Sequence, residues 1–93
     1  MNQNSERIAM IREKLEACFN PVQLMIIDES HKHAGHAGAK GGGHFVIHIV
    51  AEQFTGKSPI QRHRMIYDAM GELMQGEVHA LSIRAETPVE GHL

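Results

Sequence analysis

The chain has one cysteine, Cys18, no tryptophan, and only 4% aromatic residues among its 93. A single thiol cannot form an internal disulfide, and it cannot supply a four-thiolate zinc or iron-sulfur site on its own. No apolar run approaches the roughly 20 residues of a membrane-spanning helix. The opening M-N-Q-N-S-E-R also lacks the basic and apolar regions of a secretory signal. These absences predict no membrane association and a reducing, cytoplasmic setting. Excess positive charge is missing too. Nine Lys and Arg against eleven Asp and Glu give a formal net charge of −2 with histidines neutral, so no global field draws the chain onto nucleic acid.

Histidine and glycine are plentiful. Four of the eight histidines and five of the nine glycines lie between Asp28 and Phe45, in D-E-S-H-K-H-A-G-H-A-G-A-K-G-G-G-H-F. Imidazole is the commonest protein ligand for borderline metals, and His31, His33 and His36 stand at H-x-H-x2-H spacing. The segment reads either as a solvated hairpin connection or as a ligand loop that orders when a metal or partner closes it. It is expected to be mobile in the isolated chain, with His33 the first candidate ligand because glycines nearby let it swing inward.

A hydrophobic fraction of 42% and a charged fraction of 22% suit one folded domain over residues 1–93. Asn4 or Ser5 can cap a first helix whose apolar stripe is Ile8, Ile11, Leu15 and Cys18 or Phe19. Asn20-Pro21 ends it. Cys18 is expected in the core rather than as a nucleophile. Alternation from Val22 to Asp28 predicts a first strand with Val22, Leu24 and Ile26 on one face and Met25 and Ile27 on the other. A second strand, His44 to Ala51, turns Phe45, Ile47 and Ile49 to the core and leaves His48 exposed. Ser58-Pro59-Ile60-Gln61 is a capping box that starts a helix expected to run to Gly76, with Gly71 inside it and Ile60, His63, Tyr67, Met70, Leu73 and Met74 on its buried face. A third strand begins near Val78 and carries His79, Leu81, Ile83 and Ala85 on one face. Thr87-Pro88 closes it, and residues 87–93 are expected to fray.

A hairpin makes strands one and two antiparallel, whereas an intervening helix makes strand three parallel to strand two. The architecture is then α+β, in the order α-β-β-α-α-β, with a three-stranded mixed sheet packed against helices. In that arrangement His79 opens the third strand at the end of the sheet that carries the histidine segment. It reads either as a core histidine bonded to a carbonyl or as a metal ligand. A site of one or two histidines needs outside ligands, and therefore a partner. Lys57, Arg62, His63 and Arg64 form the one basic cluster, which reads as a solvated helix face or as a phosphate-contacting element. A-E-Q-F-T-G-K-S lacks the first glycine of a P-loop, and nothing near Asp28, Ser30 and the histidines offers a nucleophile elbow, so neither nucleotide hydrolysis nor a hydrolytic triad is expected.

D-E-S-H-K-H-A-G-H, F-T-G-K-S-P-I-Q-R-H-R-M-I-Y and V-H-A-L-S-I-R-A-E-T-P, in this order and over nearly the whole chain, resemble the BolA family. The resemblance implies a fold related to class II K-homology domains. It also implies a non-enzymatic partner of monothiol glutaredoxins that shares a [2Fe-2S] cluster with them and glutathione, in cluster trafficking or iron and stress signalling. By that analogy His79 is one ligand and a loop histidine the other, His33 with His31 and His36 as alternatives, and no cluster is expected in the isolated chain. The alternative role that the resemblance implies is DNA-binding regulation of transcription in stress response and cell morphology, through Lys57, Arg62 and Arg64. Only Gly56 stands where the two-glycine clamp of nucleic-acid-binding K-homology domains would fall. Alone, the chain is expected to be a monomer or weak homodimer.

Overall fold

A computed structural model describes residues 3–29, 43–75 and 78–91. The expected loop of residues 28–45 is therefore seen only at its two ends, and His31, His33, His36 and Gly76 lie outside the described residues.

Helix α1, Gln3–Phe19, buries Ile11, Leu15 and Phe19, which recur every four residues on one face. It stops where Asn20 turns left-handed at φ 45° and donates its N–H to the Glu16 carbonyl at 3.1 Å, after which Pro21 blocks continuation. Cys18 is exposed rather than in the core. One position further on, the larger Phe19 takes the buried site and stacks obliquely on Phe54 with ring centroids 5.1 Å apart.

Strands β1, Gln23–Asp28, and β2, Gly43–Val50, pair antiparallel, from Gln23 with Val50 to Asp28 with Phe45. Strand β3, Val78–Glu86, runs parallel to β2 on its other side, so the sheet order is β1-β2-β3. Phe45, Ile47 and Ile49 of the middle strand are fully buried, as the alternation predicts. Leu24, Ile26, Leu81, Ile83 and Ala85 pack around them. Both long helices cover this one face. On the other, Met25 and Ile27 remain 47% and 44% exposed. His48 lies on that uncovered face half-buried rather than exposed, because its Nε2 donates to Glu86 Oε1 at 2.6 Å. This bond, aided by Arg84, holds the Glu86 carboxyl below its usual range.

After β2, a single helical turn, Glu52–Phe54, drops Phe54 into the core. Helix α2, Pro59–Met70, starts on the expected capping box: Ser58 Oγ accepts from the Gln61 N–H at 3.2 Å, and Gln61 Oε1 accepts from the Ser58 N–H at 2.8 Å. Its buried face differs from the expected one. Ile66, Met70 and, beyond the helix end, Leu73 are buried, with Met65, Ala69 and Met74 against them, whereas Ile60, His63 and Tyr67 face solvent. The helix also ends sooner. Gly71 adopts φ 56° and ψ −126°, and the chain continues as a tighter turn over Gly71–Gln75.

That backbone conformation is costly for any residue with a Cβ, although a Cβ at position 71 would touch nothing within 4 Å. Gly71→Ala is therefore expected to lower stability by about 1–3 kcal/mol through backbone strain alone. Urea unfolding tests this, and an unchanged midpoint would contradict it.

The chain does not fray at Thr87. Thr87 is buried, and residues Pro88–Gly91 form a helical turn, α3. Thr87 Oγ1 accepts from the Glu90 N–H at 3.2 Å, and Glu90 Oε1 accepts from the Thr87 N–H at 3.1 Å. T-P-V-E thus repeats the capping box of S-P-I-Q.

Candidate functional site at one end of the sheet

Three chain segments meet at one end of the sheet. Strand β1 ends there at Asp28, β2 begins at Gly43 and β3 begins at Val78. The ladder between β1 and β2 extends one step past β1, with the Glu29 N–H donating to the His44 carbonyl at 2.8 Å. The chain therefore leaves for the histidine segment, and returns from it, at the same end as His79. Adjacent strands are spaced about 4.8 Å apart. The His79 backbone thus lies roughly one spacing from the start of β2 and two from the end of β1.

His79 does not sit in regular alternation. The pairing steps from Gly43 with Val78 directly to His44 with Ala80, which makes His79 the additional residue of a bulge. The burial pattern agrees: Val78 is buried and Leu81, three residues on, packs against the core, which an unbroken two-residue repeat could not do. Bulges locally re-aim a strand and are over-represented beside functional sites. His79 is therefore a special position on β3 rather than the first residue of a continuous core face. Among the described residues no three His, Cys, Asp or Glu side chains converge as a metal site, and no helix is long and apolar enough to cross a membrane.

The basic cluster separates into two parts. Lys57, His63 and Arg64 are exposed at and beyond the start of α2. The Arg62 side chain is only 11% exposed and is held internally. Its Nε donates to the Lys57 carbonyl at 2.9 Å, and Nη1 donates to the Ala85 carbonyl at 3.0 Å. Nη1 and Nη2 also grip the two carboxylate oxygens of Glu90, at 2.6 and 3.0 Å. Arg62 thereby ties the start of α2 to the end of β3 and to α3. Sequence reasoning grouped it with its exposed neighbours and missed Glu90, although T-P-V-E carries the signal of a capped turn.

The Arg62 fork, followed by the Thr87 N–H, pulls the Glu90 pKa from 4.5 down to about 2. A lowered carboxylate pKa stabilises the fold above the unfolded value, and this contribution disappears as pH falls through the folded value. Thermal unfolding of the native chain and of Glu90→Gln should therefore differ at pH 7, with the native chain more stable. The curves should converge between about pH 4.5 and 2. A difference that persists unchanged at pH 2 would show that the carboxylate charge is not responsible.

The fold and this sheet end define a class of protein: a small α+β domain with helices on one face of a mixed three-stranded sheet, and a bulged histidine at its rim. The chain belongs to the BolA-like protein family, whose model matches residues 15–90. It is 43% identical over 88 residues to protein BOLA1, chloroplastic, of Arabidopsis thaliana, covering 90% of this chain and 55% of that one. It is also 43% identical over 77 residues to the DNA-binding transcriptional regulator BolA of Escherichia coli strain K12, covering 83% of this chain and 71% of that one. Among solved structures, the BolA domain of SufE1 from Arabidopsis thaliana superposes with a TM-score of 0.78 at 46% identity, covering 88% of this chain and 92% of that chain. The full-length SufE-like protein 1 is much longer, and the chain spans 23% of it.

Proposed function

We propose that this chain is a non-enzymatic adaptor that binds a monothiol glutaredoxin and shares with it a glutathione-dependent [2Fe-2S] cluster, in cluster trafficking or iron and stress signalling. The observation that carries the reading is the meeting of His79, on its bulge, with both ends of the histidine segment at one end of the sheet. The chemistry of the donors suits the group. Imidazole is a competent iron ligand, and His79 with one of His33, His36 or His31 would hold one side of a cluster whose thiolates come from the partner and glutathione. When bound, a cluster with histidine ligands would take up an electron at a higher potential than an all-cysteine one. The protein's own part is to fix one imidazole on a strand and offer the second from a segment anchored on both sides. The single cysteine suits a reducing compartment, the cytoplasm in this reading.

The test is to mix the chain with a monothiol glutaredoxin, iron, sulfide and glutathione, and to follow visible absorbance and circular dichroism. A heterocomplex spectrum distinct from that of the glutaredoxin alone is expected. Spectra that merely add would sink the proposal.

A second reading, nucleic-acid binding by the α2 surface, is favoured by the exposure of Lys57, His63 and Arg64 and by the Escherichia coli relative's description as a DNA-binding regulator. Duplex titrations at two salt concentrations test it, with Lys57→Ala and Arg64→Ala as controls. Binding that vanishes near physiological salt and ignores both substitutions counts against it.

A further inference from the structure

Arg62 is the residue of the basic cluster whose chemistry the exposed surface does not use. Four of its five N–H groups have acceptors within the fold. Two of these acceptors are backbone carbonyls, which fix the position of the guanidinium. The other two are the carboxylate oxygens of Glu90, taken by the fork in the bidentate arrangement that Arg also uses to hold a phosphate. The partners differ in exposure: the Glu90 side chain is 48% exposed and belongs to the four-residue turn α3, whereas Arg62 is sunk between α2 and β3. The anion is thus the peripheral partner of the pair.

We propose that Glu90 acts as a built-in substitute for a phosphate group, so that the turn of residues 87–91 is an autoinhibitory contact over an oxyanion seat on Arg62. With the carboxylate withdrawn, Nη1 and Nη2 would present a fixed fork to a phosphate, beside exposed Lys57. The Lys57 and Ala85 carbonyls would keep the guanidinium in place. Glu86 adds to the field on Arg62, but its carboxylate is already engaged by His48 and by Arg84 at 3.4 Å. The phosphate is either a free ion or part of a nucleic-acid backbone. The use of the seat by a nucleic acid rests on the second functional reading above, whereas the seat itself does not.

The experiment follows the Arg62 side-chain Nε–H resonance by NMR while pyrophosphate is added at low salt to the native chain, Glu90→Ala and Glu90→Gln. In both variants the resonance should shift saturably at concentrations roughly tenfold or more below those that affect the native chain. The backbone N–H resonances of Lys57 and Ser58, which should report the same gain in Glu90→Ala, serve as the readout once the Arg62 Nε–H is removed: adding Arg62→Lys to Glu90→Ala should abolish the gain, because an ammonium cannot reproduce the fork. An Arg62 resonance as unresponsive in both variants as in the native chain overturns the seat. A gain that survives Arg62→Lys overturns its assignment to Arg62. Duplex DNA supplies the second arm. Tighter binding by Glu90→Ala, with a salt slope steeper by about 0.9, places a backbone phosphate on Arg62. A pyrophosphate response with unchanged DNA affinity and slope restricts the seat to small anions and removes its nucleic-acid use.

Discussion

Phe54→Ala is expected to lower stability by about 3–5 kcal/mol, a large share of the roughly 5–15 kcal/mol available to a domain of this size. Phe54 is fully buried although it lies on a connecting turn. Its ring meets Phe19 at the end of α1, its N–H bonds the Ala51 carbonyl at 3.3 Å, and its own carbonyl accepts from Lys57 at 3.1 Å. Truncation would remove an aromatic pair, leave a cavity beneath α1 and α2, and loosen the approach to Ser58. Because the surrounding backbone is hydrogen-bonded, little collapse into the cavity is expected. Urea denaturation should show the midpoint falling with little change in slope. A loss below about 1 kcal/mol would mean that the turn carries no core packing.

The second large effect concerns the proposed shared cluster. His79→Ala is expected to reduce heterocomplex cluster occupancy on the order of tenfold or more, while the isolated chain stays folded. His79→Cys should restore occupancy with an altered spectrum, because a thiolate replaces an imidazole. His48→Ala is the matched control. His48 lies on the uncovered sheet face and is occupied by Glu86, so its loss should leave the cluster spectrum intact. An unchanged spectrum for His79→Ala would remove His79 from the ligand set.

The sheet was legible in the sequence because a two-residue repeat fixes which face each side chain takes, and Phe45, Ile47 and Ile49 followed it. The parallel crossover was legible from the helix that separates the second and third strands. Helix α2 was legible at its start, where Ser58 and Gln61 are local signals, but not around its circumference. Ile60 and Tyr67 are apolar and helically spaced, yet they remain 66% and 40% exposed. The face that packs instead includes Arg62, whose stem lies in the interior while its charge is met by Glu90, 28 residues later. No local pattern reveals a partner at that separation. T-P-V-E, by contrast, was readable by the rule that found S-P-I-Q, and only its position after the last strand disguised it. The bulge at His79 could not be read, because register belongs to the strand pair and not to either strand alone.

The middle position of β2 also bears on how the chain is made. Its antiparallel neighbour β1 precedes it, but the parallel neighbour β3 starts at Val78, well after Val50 ends. As the polypeptide emerges during synthesis, G-H-F-V-I-H-I-V has one row of backbone groups unpaired until the last strand arrives. That apolar edge is a template for pairing with other copies. Premature termination after α2 should consequently yield not a smaller folded domain but an aggregating fragment, and the last quarter of the chain serves as the cover that keeps the middle strand to itself.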